Sequence, residues 1–216
     1  MAEKRKYSKE VEERYKELKD AHSEVNIEGI TILTGNNGSG KSLIRKHLPF
    51  VLRDKLGLTD VKETQGMLAS TSMDARTSSN PEWGAMSGAM RDDDWVATSQ
   101  NTLDSIKGLF GAVKAGKKCK YLIIDEYEIG CSEETIIALA QYISKELSGL
   151  IKSKKIMGAM IITHSRKGVE IIKHDHFLNI GGMTEDKWLT REIKATDLEK
   201  LGDNELFHYI RDNQKD

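Results

Sequence analysis

The residues of this chain best suited to chemistry form one short segment, Gly35-Asn36-Asn37-Gly38-Ser39-Gly40-Lys41-Ser42, with the pattern Gly-x-x-x-x-Gly-Lys-Ser. Glycines at these positions let successive backbone N–H groups point at a phosphate chain, and the N-terminus of a following helix adds its positive dipole. We expect Lys41 to reach the β- and γ-phosphates and the Ser42 hydroxyl to bind Mg²⁺. The pattern therefore predicts a site for a nucleoside triphosphate.

The elements around this segment occur in the order that the motif requires. Apolar residues 30–34 precede it and predict a strand, and residues 43–48 follow it as the start of a helix. The alternative interpretation is a glycine-rich turn that binds nothing. The strand–loop–helix context disfavours that alternative, because the helix N-terminus is part of the anion site.

Two carboxylates follow a second apolar run. Residues 121–124, Tyr-Leu-Ile-Ile, lead directly to Asp125 and Glu126. Together with a phosphate-binding loop, we expect Asp125 to complete the Mg²⁺ site through Ser42 or a water. Glu126 can polarise the water that attacks the γ-phosphate. A strand that ends in two acids is common elsewhere, so the pair gains this meaning only from the loop.

A histidine ends a third apolar run. Residues 161–163, Ile-Ile-Thr, are followed by His164. If this run is a strand parallel to the others, His164 emerges at the same edge of the sheet as the loop and the two acids, where open α/β sheets bind ligands. His164 could then donate to the γ-phosphate or hold the attacking water. The alternative is a histidine whose hydrogen bonds are satisfied at a strand end.

Strands and helices alternate along the chain, and this order positions the three motifs. Apolar runs predict strands at 23–27, 30–34, 67–70, 121–124, 156–163 and 177–180, with a short strand or turn at Trp188 and Leu189. Helical spacing and capping residues predict helices at 8–19, 41–52, 101–114, after Ser132, at 167–173 and at 197–210. Pro49 is expected to kink or end the helix that begins at residue 41. The alternation predicts an α/β fold with a mostly parallel sheet flanked by helices. With the phosphate-binding loop at 35–42, we expect a fold of the P-loop NTPase kind.

A length of 216 residues fits one domain, and we expect residues 1–216 to form it. Residues 20–180 would hold the nucleotide-binding core. The polar residues 63–99 lack a sustained period and predict an irregular segment or a small inserted subdomain. Residues 184–216 predict a C-terminal helical extension.

The bulk composition argues for no particular partner. The formal net charge is −1, and basic clusters at 114–120, 152–155 and 166–167 are more simply interpreted as solvated loops and helix ends than as a polyanion surface. Cys119 and Cys131 are too far apart for a Cys-x-x-Cys pair and predict free thiols. No window has the length of a membrane span, so we expect a cytoplasmic protein without membrane insertion.

In combination, the three motifs resemble those of the ABC-type ATPase superfamily. The matching segments are Gly-Asn-Asn-Gly-Ser-Gly-Lys-Ser at 35–42, Leu-Ile-Ile-Asp-Glu at 122–126 and Ile-Thr-His-Ser at 162–165. The resemblance spans residues 20–180 and implies an ABC ATPase-like fold that uses ATP and Mg²⁺. It also implies that Asp125 is the acid on the Mg²⁺ side, Glu126 the catalytic base and His164 the switch histidine. Residues alone do not distinguish adenine from guanine.

The turn after the two acids indicates a branch of that superfamily. Tyr127-Glu128-Ile129-Gly130-Cys131-Ser132 is similar to the soluble branch found in DNA-repair, chromosome-maintenance and phage-defence ATPases. Transporter subunits usually carry Pro where Tyr127 stands. Gln65 is a candidate for the glutamine that touches Mg²⁺ in the family, and Tyr15 or Tyr7 for its adenine-stacking aromatic residue.

The chain departs from the family at the signature motif. The family has Leu-Ser-Gly-Gly-Gln or a Ser-x-Gly variant, whereas the candidate here is Thr98-Ser99-Gln100-Asn101-Thr102, which lacks both glycines. Ser99 would still offer a hydroxyl and a helix N-terminus to a γ-phosphate across a dimer interface. An ordinary helix N-cap is the alternative.

The sequence thus favours an ABC-type ATPase that closes a head-to-tail homodimer on binding Mg-ATP. Hydrolysis would reopen the pair and drive a process of a partner protein or a nucleic acid, of the DNA-repair, mobile-element or defence type. Three alternatives stay open: a small-molecule phosphotransferase of the P-loop kinase kind, a transporter ATPase subunit, and a nucleotide-gated binding module with little turnover.

Overall fold

The centre of the fold is a five-stranded sheet in which every strand pairing is parallel. The structure, a computed structural model, describes residues 9–36, 39–65, 67–71, 98–116, 119–192 and 209. Its strands are β1 (Gly29–Gly35), β2 (Leu68–Thr71), β3 (Tyr121–Asp125), β4 (Gly158–Ile162) and β5 (His176–Ile180). Its helices are α1 (Lys9–Glu24), α2 (Lys41–Leu56), α3 (Val61–Gln65), α4 (Thr98–Ala115), α5 (Glu133–Lys152), α6 (Arg166–Ile171) and α7 (Glu185–Thr190).

The strand order is β2-β3-β4-β1-β5. In the register, Leu33 of β1 lies beside Ile162 of β4, which in turn lies beside Asp125 of β3. Parallel strands end at one edge of a sheet, so the segments that follow β1, β3 and β4 emerge together there. The prediction of a mostly parallel α/β sheet flanked by helices is therefore confirmed for the described part of the chain.

Two hydrophobic clusters cover the two faces of the sheet. Successive side chains of a strand point to opposite faces, so Leu33 and Ile162 pack with α1 and α2 on one side. Ile32 and Ile161 pack on the other side with α4, α5 and α6. This double burial explains why β3 and β4 are continuous apolar runs rather than alternating ones.

Helix α2, which follows the candidate loop, is longer than its sequence predicts. It continues past Pro49 to Leu56, so the predicted end near Leu52 is wrong. A proline inside a helix costs about 3 kcal/mol, because it removes a hydrogen bond and crowds the preceding turn. Leu48 and Leu52 are both buried on either side of Pro49, and their packing holds the helix together across it.

The predicted strand at 23–27 is wrong. Helix α1 extends to Glu24, and residues 25–28 form a connection without strand pairing. Val25 and Ile27 are buried in the cluster of α1 and α2, separated by the half-buried Asn26. A buried connection of this kind alternates apolar and polar residues as a strand does, and the pattern alone could not distinguish the two.

The predicted strand or turn at Trp188 and Leu189 is also wrong, since both residues lie in α7. Glu185 and Asp186 occupy the first turn of this helix, where acidic side chains interact favourably with the helix dipole. The long helix predicted after Ser132 is confirmed, and the Ser132 hydroxyl accepts a hydrogen bond from the Thr135 N–H at 3.4 Å.

The strand predicted at 67–70, inside the segment 63–99, is confirmed as β2. The end of α3, all of β2 and the start of α4 lie inside this segment, and β2 belongs to the main sheet. Three other expectations lie outside the described residues: a cap at Ser8, an inserted subdomain within 72–97, and a helix over 197–210 apart from Tyr209. Among the helices within the described ranges, none is long and apolar enough to cross a membrane.

Candidate functional site

The candidate loop connects β1 directly to α2, as its sequence predicts. Gly35 ends β1, and Lys41 and Ser42 begin α2, while Asn37 and Gly38 lie outside the described residues. Gly40 has a φ of 103°, in the left-handed region that glycine adopts without strain. A Cβ at Gly40 would also lie 2.9 Å from a methyl carbon of Leu18. Helix α1 therefore packs directly on the end of the loop.

Lys41 is held inside this loop. Its ammonium donates to the carbonyl oxygens of Gly35 at 3.2 Å and Asn36 at 3.0 Å, and the residue is only 6% exposed. Burial lowers the pKa of Lys41 below its ordinary value, and the carboxylates of Glu126 and Asp125 act in the opposite direction. The buried Lys41 ammonium has little hydration left to lose on binding a phosphate, and it is fixed where phosphate oxygens would enter.

Asp125 lies at the end of β3 with an arginine as its ionic partner. The Arg45 guanidinium donates from Nη1 to Asp125 Oδ2 at 2.7 Å. Arg45 stands four residues after Lys41 on α2, so the two cations lie on adjacent turns of the same helix face. Sequence analysis missed Arg45, although this spacing after the loop lysine is a signal that could have identified it.

The residues present fit a Mg²⁺ ion that is bound together with phosphates. Such an ion takes oxygen ligands, usually one or two carboxylates, with phosphates and waters completing the shell. Ser42 offers an exposed hydroxyl at the start of α2, and Asp125 offers a carboxylate at the end of β3. In the described ranges, no three or more His, Cys, Asp or Glu side chains form a metal-binding group.

Glu126 has a strained backbone. Its φ is 52°, in the left-handed region, where a non-glycine residue costs about 1–3 kcal/mol unless its surroundings hold it. The Glu126 N–H donates to the Ile162 carbonyl at 2.8 Å, which fixes the residue against β4. Such strain is typical of functional sites. The conformation directs Glu126 toward His164, whose Nε2 lies 3.4 Å from Glu126 Oε1.

The turn after Glu126 also holds the backbone of His164. The His164 N–H donates to Glu128 Oε1 at 2.6 Å. Burial raises the pKa of Glu128 above its usual range, and this hydrogen bond works against that shift. Tyr127 is fully buried, and its hydroxyl fills the space beside Gly168 of α6 that a Cβ would occupy. The turn 127–132 therefore ties β3 to β4 and fixes the Glu126–His164 pair.

Burial and three charged neighbours shift the pKa of the His164 imidazole. Burial lowers it most, Lys41 and Arg191 lower it further, and Glu126 opposes these effects in part. We therefore expect His164 to titrate below 6.5 in the protein without nucleotide. Removing the Lys41 charge by Lys41→Met should raise this pKa, and Glu126→Gln should lower it.

The titration of the His164 ring can be followed by NMR of its Cε1–H group. Lys46→Met is the matched control, because Lys46 is exposed on α2 and the variant should leave the midpoint unchanged. A midpoint above 6.5, or one that moves with neither Lys41 nor Glu126, would contradict the arrangement.

Ser99 stands in the first turn of α4, which packs on β2 and α5. β2 is three strand positions from β1, or about 14 Å away. Helix α4 therefore packs beside a strand that is distant from the one that leads into the loop.

The other residues suggested for nucleotide contacts are only partly described. Tyr15 lines a cavity of about 180 Å³ between α1 and α2, together with Leu43 and His47. This cavity lies next to the first turns of the helix that follows the loop. The side chain of Gln65 and all of Tyr7 are outside the described residues.

An arginine from the C-terminal part of the chain, which sequence analysis missed, contacts the loop. Arg191 follows α7, and its Nη1 donates to Asn36 Oδ1 at 3.2 Å. No motif identifies this residue in the sequence, because its contact with Asn36 spans 155 positions.

Comparisons with known proteins do not assign the chain to a family. No protein-family model matches it, and no curated protein matches it. Among solved structures, it is similar to a Pif1 helicase from Candida albicans, with 16% sequence identity and a TM-score of 0.32. The match covers 81% of this chain and 40% of that chain, so it spans about two fifths of the length of this relative. A similarity this distant says nothing about what the chain does.

Proposed function

We propose that this chain binds a Mg²⁺–nucleoside triphosphate at the loop 35–42 and hydrolyses the bond to its γ-phosphate. The observation that carries the proposal is the Glu126–His164 pair, 3.4 Å apart, at the sheet edge where Lys41 is buried in the loop. A general base and an imidazole beside a phosphate-binding cation are the groups that phosphoryl transfer to water requires.

The bound triphosphate would be held by backbone N–H groups of the loop, by the N-terminus of α2 and by Lys41. Ser42 and Asp125 would hold Mg²⁺, which withdraws charge from the phosphate oxygens. Glu126 would accept a proton from the attacking water as the new oxygen–phosphorus bond forms. The bond between the γ-phosphorus and its bridging oxygen breaks, and the nucleoside diphosphate leaves with that oxygen. The His164 imidazole would orient the water or donate to the departing phosphate.

The position of β4 supports water as the acceptor. β4 lies between β1 and β3, so His164 stands between the loop and Glu126. Glu126 Oε1 and His164 Nε2 are 3.4 Å apart, so both could hydrogen-bond one water placed beside the pair. A phosphotransferase must also admit a second substrate, and it remains the alternative to test by adding phosphorylatable metabolites to the assay.

The proposal predicts that Lys41→Ala removes nucleotide turnover. Charge-assisted contacts with the β- and γ-phosphates would be lost, and we expect at least about a hundredfold lower rate of phosphate release from Mg-ATP. The measurement is steady-state phosphate release, with circular dichroism to verify the fold of each variant. Lys46→Ala, on the exposed side of the same helix, should retain the wild-type rate. Equal rates in Lys41→Ala and the wild type would place the activity elsewhere.

We further propose that the nucleotide is ATP and that two chains close head to tail around two nucleotides, as the resemblance to ABC-type ATPases implies. The packing of α4 on β2, three strand positions from β1, supports a role for Ser99 across a dimer interface rather than at its own loop. The dimer would drive a partner protein or a nucleic-acid process of the DNA-repair, mobile-element or defence type. The solution mass of an ATP-trapped variant distinguishes this mechanism from action as a monomer.

A further inference from the structure

Arg191 is fixed over the candidate loop by three contacts. Its Nη1 donates to Asn36 Oδ1 at 3.2 Å, and its guanidinium lies 5.4 Å from the centre of the Trp188 ring. Its carbonyl oxygen accepts a hydrogen bond from Arg166 Nη2, at the start of α6. Trp188 is itself 1% exposed, so the ring that supports the guanidinium is anchored in the core. The head group is therefore oriented toward the loop before any ligand arrives.

The positive charge of Arg191 also affects His164 of the Glu126–His164 pair. Both Lys41 and Arg191 lower the pKa of His164. Asn36 connects the two cations, because its carbonyl oxygen accepts from Lys41 Nζ at 3.0 Å and its side-chain oxygen accepts from Arg191 Nη1 at 3.2 Å. Arg191 therefore contacts the same loop residue as the lysine that we expect to reach the β- and γ-phosphates.

We infer that Arg191 binds the γ-phosphate of the nucleotide, exchanging its contact with Asn36 for phosphate oxygens. This inference rests on the proposed function and adds a residue from the same chain to the site. It gives the chain its own arginine at the reacting phosphate, in addition to any group that a second subunit supplies.

The exchange is favourable because of the two partners involved. In the protein without nucleotide, the Asn36 amide is a neutral acceptor, whereas a phosphate carries full charge and can accept two parallel N–H bonds from a guanidinium. The Arg191 guanidinium is charged in both contacts, so the exchange adds a charged acceptor and a second parallel hydrogen bond. An arginine that contacts the γ-phosphate also stabilises the charge that develops during transfer.

The test compares a triphosphate with a diphosphate. We expect Arg191→Ala to weaken binding of the non-hydrolysable analogue AMP-PNP with Mg²⁺ by about tenfold to a hundredfold. The affinity for Mg-ADP, which lacks the γ-phosphate, should change by less than about twofold, which is the size of effect expected for a surface substitution. Arg191→Lys keeps the charge but loses the planar fork, and we expect an intermediate loss for AMP-PNP only.

Arg53→Ala is the matched control, because Arg53 pairs with Asp54 on α2, away from the loop. It should leave both affinities unchanged. An equal loss for AMP-PNP and ADP in Arg191→Ala would mean that the residue only supports the loop through Asn36, and would overturn the inference. Unchanged binding of both would overturn it as well. If the folded wild type binds neither nucleotide, the proposed function itself fails, which is a different result from a wild type that binds both.

Discussion

The Glu126→Gln variant is expected to hydrolyse Mg-ATP at least about a hundredfold more slowly than the wild type. Glutamine keeps the shape of the side chain and its contact with His164, but its amide does not accept a proton from water. The strained backbone of Glu126, with φ 52°, is held by its bond to Ile162 and should accommodate glutamine equally well. Single-turnover measurements of phosphate release separate the loss of chemistry from any change in nucleotide binding.

Glu133→Gln is the matched control for this prediction. Glu133 is exposed in the first turn of α5 and is not one of the residues proposed for the site, so its variant should retain the wild-type rate. A Glu126→Gln rate within tenfold of the wild type would show that another group acts as the base.

The same variant also tests the head-to-tail dimer. Because Glu126→Gln should bind Mg-ATP without consuming it, it should accumulate in the closed state. Its solution mass, measured by light scattering, should double when Mg-ATP is added and stay monomeric with Mg-ADP. A mass that is unchanged at saturating ATP would exclude the homodimer for the isolated chain.

The second large effect concerns the strand pair that carries the loop. Gly158→Ala is expected to lower the free energy of unfolding by about 1–3 kcal/mol, as overpacking does in well-packed interiors. A Cβ at Gly158 would lie 2.5 Å from the Gly29 carbonyl oxygen and 2.6 Å from the Ile27 carbonyl oxygen. Both are backbone atoms, and the Gly29 N–H is bonded to the Met157 carbonyl at 3.1 Å, so neither can move easily.

Gly149→Ala makes the same chemical change in open space and should have the opposite effect. Gly149 lies inside α5, and a Cβ there would have nothing within 4 Å. Alanine is favoured over glycine in a helix by about 1 kcal/mol, so this variant should be more stable than the wild type. Urea denaturation of the three proteins measures both changes. Equal stability of Gly158→Ala and the wild type would contradict the close approach of β4 to the connection before β1.

The sequence could predict those parts of the candidate site that consist of contiguous residues. The loop, the Asp125–Glu126 pair and His164 each follow an apolar strand, and parallel pairing alone brings such strand ends to one edge. Arg45 and Arg191 belong to no such contiguous motif. The spacing of Arg45, four residues after Lys41, indicates only that the two share a helix face, and its pairing with Asp125 is known from the structure alone. The position of Arg191 depends on the packing of Trp188 beneath it.

The fold was predictable where one local preference dominated. The buried strands β3 and β4 and the cap at Ser132 were predicted because apolar runs and capping side chains act locally. Tertiary packing decided the outcome elsewhere. Burial of Leu48 and Leu52 carries α2 through Pro49, and burial of Val25 makes a connection look like a strand.

The measurement that tests the central claim most directly is a calorimetric titration of the wild-type chain with Mg-ATP and with Mg-tripolyphosphate. We predict saturable binding of one nucleotide per chain, and competition by tripolyphosphate, because the loop 35–42 and Lys41 recognise the phosphates. A folded wild-type chain that binds neither compound at millimolar concentration would contradict the assignment of this loop as a phosphate site.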